Sequence, residues 1–124
     1  MSKIKIKAHL QGPDTNHMVE GSGIAHDHKL LYQDGDIKVI VAFQDEKVIL
    51  KRIHPEYQLT LIFLEQQTTS GKYQLMNYSS DIPLSITTNR LQVSDQKLEV
   101  DYHLAIGDEE HGHFTFILEY EVKV

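Results

Sequence analysis

The stretch KLEVDYHLAI, residues 97–106, decides the fold. Leu98, Val100, Tyr102, Leu104 and Ile106 occupy every second position, with Lys97, Glu99, Asp101 and His103 between them. Successive side chains of a β-strand point to opposite faces, so this alternation describes a strand with one apolar and one polar face. The closing stretch HFTFILEYEVKV (113–124) repeats it: Phe114, Phe116, Leu118, Tyr120, Val122 and Val124 share one face, and Thr115, Glu119, Glu121 and Lys123 the other. Period two continues back to the N-terminus, and no segment carries the stripe of an amphipathic helix. Strands are expected at 3–11, 18–25, 29–34, 36–43, 46–53, 57–65, 69–76, 83–93, 96–106 and 113–124. Turn-forming residues separate them at Asp34-Gly35, Gln44-Asp45, His54-Pro55-Glu56, Ser94-Asp95 and the GDEEHG loop at 107–112.

A meander of so many short strands must become a sandwich or a closed barrel, because an open sheet of that width leaves unpaired edges. The two ends of the chain favour closure. Lys3, Lys5 and Lys7 share the outer face of the first strand, opposite Ile4, Ile6, Ala8 and Leu10, and the last strand sends Glu119 and Glu121 outward. Pairing of first and last strands would make these opposite charges cross-strand neighbours, each pair contributing about 0.2–1 kcal/mol. The other reading of the lysines is that they guard a free edge.

Composition narrows the function. With 124 residues the chain is one domain, 1–124, with one core. Eighteen acidic against twelve basic residues give a net charge of -6, which opposes binding to a phosphate backbone and argues against a nucleic-acid partner. The absence of cysteine removes disulfides, thiolate metal sites and a cysteine nucleophile. MSKIKIK lacks the apolar run of a signal peptide, and no stretch reaches the length of a membrane span, so a soluble cytoplasmic protein with no membrane partner is expected. Neither a phosphate-binding loop nor a dinucleotide-binding glycine pattern occurs, and GSG at 21–23 lacks the spacing of a nucleophile elbow. The expectation is a non-enzymatic protein without a cofactor.

Four stretches of the second half, TTSGKYQL (68–75), LSITTNRLQV (84–93), KLEVDYHL (97–104) and FTFILEYEV (114–122), carry a resemblance. Thr68 or Thr69 with Gly71, Thr88 ahead of Leu91 and Val93, Tyr102, and Arg52 closing VILKR are the matching residues. On these the chain resembles the YwiB-like family, a bacterial domain of unknown function, along nearly its whole length. The resemblance implies an all-β, up-and-down antiparallel calycin-like (lipocalin-like) β-barrel of about 8–10 strands, with no established activity. A lipocalin would carry Gly-x-Trp in its first strand, and this chain has no tryptophan.

Candidate site residues fall into two groups. Arg52 shares parity with Val48 and Leu50, so it either points into the barrel, where its planar fork could hold an anion, or snorkels at the rim. Gly21 and Gly23 within the second strand mark a bulge or a close approach. A ligand is expected near them, lined by Tyr32, Tyr57 and Arg52 and held at one barrel mouth as a small, partly apolar anion. Arg90, at the parity of Thr88 and Gln92, is expected to face outward. The second group is His26, His28, His111 and His113: each pair is spaced by two, as a half-site for a metal on a strand would be, provided the two pairs meet at one end of the barrel. Against that, Asp27 sits where the second strand should reverse, so His26 and His28 also read as a hairpin tip. The alternative to a ligand binder is a filled barrel acting as an interaction or structural domain, or as a homodimer, through outward apolar residues such as Ile40 and Ile117.

Overall fold

The computed structural model describes residues 1–77 and 81–123. Ten antiparallel strands follow one another: β1 Ser2–Gly12, β2 Thr15–His26, β3 Lys29–Asp34, β4 Ile37–Gln44, β5 Lys47–His54, β6 Tyr57–Leu64, β7 Thr68–Leu75, β8 Asp81–Ser94, β9 Lys97–Ile106 and β10 Glu109–Val122. Each pairs with its neighbour in sequence, and β10 closes onto β1, giving an up-and-down barrel. All ten strands stand where the alternation put them; Val124 lies outside the described residues. The largest shift is in β10, which begins at Glu109 rather than 113. There the ladder runs on past the apolar pattern, through a register shift between Glu110 and Gly112 that uses a positive φ of 120° at Gly112.

Closure follows the charges. Lys5 stands opposite Glu121 and Lys7 opposite Glu119 across the β1–β10 seam. The ion contact that Lys7 makes, at 3.9 Å, is with Glu20 on its other neighbour, β2. Both partners are exposed, so this contact contributes little.

The inward rows make the core. Ile4, Ile6, Leu30, Val39, Val41, Leu61, Phe63, Leu84, Ile86, Leu98, Val100, Phe116 and Leu118 are buried around Tyr102, whose ring centroid lies 4.8 Å from Phe63 and 5.5 Å from Phe114. At the end holding both termini and the 27–28, 45–46 and 95–96 turns, this packing fills the barrel. Toward the opposite end, inward residues such as Leu10, Ile37, Leu59, Tyr73 and Leu104 are only partly covered.

Parity fails again within β8. β8 has a register shift between Thr88 and Arg90, so Thr88 faces the core, fully buried opposite Tyr102, while Arg90 lies outside opposite Asp101. Arg90 is outward as expected, but Thr88 is not on its face, because one extra residue in the bulge reverses the alternation. The β6–β7 turn covers the bulge: Gln66 N donates to Thr88 O (2.8 Å), Thr88 N to Gln67 O (3.0 Å) and Leu91 N to Glu65 Oε1 (3.3 Å).

Candidate functional site

The barrel wall parts between β2 and β3. Their ladder runs only from His26–Lys29 to Gly23–Tyr32, whereas β1 stays paired with β2 down to Gly12–Thr15. Past Gly23, β2 therefore leans on β1 alone and β3 on β4 alone. Gly23 is the pinch point: a Cβ there would collide with the Leu31 carbonyl and touch Tyr32 Cβ at 3.2 Å. Gly21, opposite the buried Ile6, also has inward parity, yet it is exposed and a Cβ there would meet nothing within 4 Å. An inward position that touches nothing is an opening in the wall.

Charged side chains line that opening. Arg52, opposite Val39 and Leu59 on the inner face, turns inward, and its Nη2 donates to Asp34 Oδ2 at 3.2 Å. Both are largely covered, with 19% and 12% of their side chains exposed. Asp34, the last residue of β3, also takes His17 Nε2 at 3.0 Å, and this contact from β2 spans the gap. Burial pushes the Tyr32 phenol up to about 12, with Arg52 pulling it down and Asp34 adding to the rise. Burial likewise takes Tyr102 to about 12 against the pull of Arg52. The charge of the guanidinium is thus felt by two phenols that stay protonated, and hence donors, at neutral pH. A fixed cation with neutral donors and a half-covered apolar surround is suited to holding an anion.

Of the residues expected to line a site, Arg52, Tyr32, Gly21 and Gly23 are brought together at this opening. Tyr57 is nearer the rim, stacked between His54 (4.7 Å) and Tyr73 (5.5 Å). Asp34 and His17 went unnoticed from sequence. Asp34 shares parity with Leu30 and Tyr32, a usable signal; His17 needed the β1–β2 register that sets it opposite Leu10. β6 and β7 part as well, after Thr60–Lys72, but there Thr69 Oγ1 donates to the Ile62 carbonyl and laces the seam.

The four-histidine metal site does not form. Asp27 and His28 have φ of 52° and 63°, a two-residue turn with both residues left-handed, so the hairpin tip is what this segment builds. His28 therefore never joins a strand face with His26. The register also places His26 at the end with the chain termini and His111 and His113 at the other, so the pairs cannot share an ion. Among the described residues, no three or more His, Asp or Glu are arranged to hold a metal. His113 instead bonds Asp101 (2.8 Å) and stacks on His103 (4.8 Å), which bonds Glu110 (3.1 Å) on the outer face. The Thr115 hydroxyl, followed by His113, holds the Asp101 carboxyl below its usual range against a smaller rise from burial. Ile40 and Ile117 do not cluster: Ile40 adjoins Leu31 and Ile24 across β4–β3–β2, while Ile117 stands between His9 and Glu99.

Fold and site together define a small, closed, ten-stranded calycin-like barrel with an arginine-lined opening in its wall. The sequence matches the family described as a domain of unknown function, DUF1934, over residues 3–118, and the chain belongs to that family. It is similar to the ywiB protein from Bacillus subtilis, whose crystal structure aligns with a TM-score of 0.61 at 13% identity over 98% of this chain and 91% of that one. At that identity the likeness speaks for the barrel alone. No curated protein matches the sequence. No helix of the described residues is long and apolar enough to cross a membrane.

Proposed function

We propose that this barrel is a non-enzymatic binding module for a small, partly apolar anion, held by Arg52 at the β2–β3 opening. The observation that carries this reading is the inward Arg52: among the described residues it spends one hydrogen bond on Asp34, and a guanidinium has five N–H donors to offer. Tyr32 and Tyr102 supply neutral donors, and Leu59 and Ile37 supply apolar cover for the ligand body. The probe for a test is 1-anilinonaphthalene-8-sulfonate, an apolar anion whose fluorescence reports binding. Saturable one-to-one binding is expected, weakened about ten-fold, or roughly 1.4 kcal/mol, in the paired Arg52→Met, Asp34→Asn variant, which removes both charges together. Unchanged affinity in that variant, or no saturable binding by the parent protein, would refute the proposal. Native mass spectrometry of the purified protein complements it by detecting a ligand carried through purification.

A second reading, docking of a protein partner or a second copy, rests on the outward row Ile24, Leu31 and Ile40. Sedimentation at increasing concentration tests the self-association version.

A further inference from the structure

We infer that the cleft on the outer side of the β2–β3 parting is the portal by which an anionic ligand reaches Arg52, and that Lys3, Lys38 and Lys123 steer it in. The inference rests on the reading of Arg52 as the ligand anchor and adds the route and the residues that control passage.

The cleft measures about 590 Å³; Ile24, Leu31 and Tyr32 contribute apolar lining, and Lys3, Lys38 and Lys123 surround it. Tyr32 is shared, since it belongs to the inner row with Val39 and also borders the cleft. Gly23 borders it too, and the open position of Gly21 comes two residues further along the same strand. The outer cleft and the inner row thus share Tyr32, beside two positions of the wall that carry no side chain.

Charge gives the cleft its selectivity. A protein of net charge -6 repels anions at a distance, yet three lysines line this one cleft. Low-dielectric walls focus such a local field, which acts on association rate more than on final affinity. The third lysine is placed by the closing seam: Lys123 N donates to Lys3 O (2.9 Å), and Lys123 Nζ donates to Ser22 Oγ, at the edge of the opening. Further along, the contact between His17 and Asp34 crosses the gap and bounds the portal on that side. The fitting ligand is one anionic head, such as a carboxylate or sulfonate, on a compact apolar body: the head follows the lysines to Arg52, and the body slides over Ile24 and Leu31.

Stopped-flow fluorescence with 1-anilinonaphthalene-8-sulfonate tests this on the whole protein. Gly21→Leu is the blocking variant, because a Cβ there meets nothing within 4 Å, which leaves room for a side chain that narrows the opening. It should slow association and dissociation together by about ten-fold while leaving the dissociation constant nearly unchanged, as a narrowed passage must. The double charge reversal Lys38→Glu, Lys123→Glu should lower the association rate several-fold and remove most of its salt dependence, with dissociation unaltered. Parent-like rates in folded Gly21→Leu, or an association rate indifferent to the lysine reversals, would overturn the portal while leaving Arg52 as anchor. Absence of saturable binding by the parent protein would instead overturn the anchor, and the portal with it.

Discussion

Gly21 and Gly23 offer a sharp contrast. They lie two residues apart on one strand, both with inward parity, and a sequence pattern treats them alike. Neither has a left-handed φ, so an alanine at either meets only questions of space. At Gly21 a Cβ meets nothing within 4 Å. Gly21→Ala should therefore stabilise the fold by about 0.4–1 kcal/mol, through the loss of unfolded-chain freedom. At Gly23 the added carbon strikes the Leu31 backbone oxygen and presses on Tyr32 Cβ (3.2 Å) and Ile4 Cγ1 (3.4 Å). The obstacle is backbone held in a ladder, which cannot rotate away, so the short β2–β3 pairing must spread. Overpacking of this kind costs about 1–3 kcal/mol, occasionally more. The two variants should thus differ by about 1.4–4 kcal/mol, which in a domain of this size separates their melting temperatures by roughly 5–15 °C. Urea unfolding followed by far-UV circular dichroism suits a chain without tryptophan, and similar slopes would license direct comparison of midpoints. Equal stabilities, or a neutral Gly23→Ala, would show that the β2–β3 crossing is looser than described and that the opening is not held in place by its pinch.

Other outcomes follow from the same geometry. Arg52→Met alone leaves the largely covered Asp34 carboxylate without its guanidinium and should cost about 1–3 kcal/mol, part of which returns when Asp34→Asn is added; urea midpoints of both variants check this. Tyr32 and Tyr102, raised to about 12, keep their protons when an unfolded phenol near 10 has lost its own. Their contribution is complete below about pH 10 and is lost as pH rises from there through 12, and Tyr→Phe at either position should remove a late component from the 295 nm absorbance titration. The Asp101 carboxyl is held low mainly by Thr115, so its stabilising effect is present above the unfolded value near 4 and disappears as pH falls through the folded one. Thr115→Val should raise that folded value and shrink the loss of stability between about pH 5 and 2, as read by an NMR titration of Asp101 alongside unfolding. Gly71→Ala should resemble Gly23→Ala, since its Cβ would strike the Thr60 carbonyl and lie 2.8 Å from Ile86 Cδ1.

Strand positions and faces were legible because period two is a geometric necessity of half-buried strands, and β9 and the part of β10 from His113 onward display it without a break. The pairing of β1 with β10 was legible in the lysines and glutamates. The bulge at Thr88–Arg90 was not, because a bulge adds a residue without a composition of its own, so Thr88 read as part of a polar face until its pairing with Tyr102 was seen. His26 and His28 looked equivalent because spacing alone cannot tell that the second lies in a left-handed turn. Arg52 was legible as an inward candidate. Its partner Asp34 was hidden behind the following glycine, which made it look like a turn residue alone, and His17 came from a strand whose start the polar segment at 13–17 concealed.

The seam that joins Ile4 to Val122 makes closure the last thing the chain can do. While the polypeptide emerges from the ribosome, β1 can take β2 as a partner at once, but its other edge stays bare until β10 has been made. Contacts so distant in sequence are slow to form, and an unpaired edge is where other nascent chains attach. Lys3, Lys5 and Lys7 therefore serve twice in succession: as a repellent fringe on the waiting edge, and afterwards, for Lys5 and Lys7, as the counter-charges that receive Glu121 and Glu119.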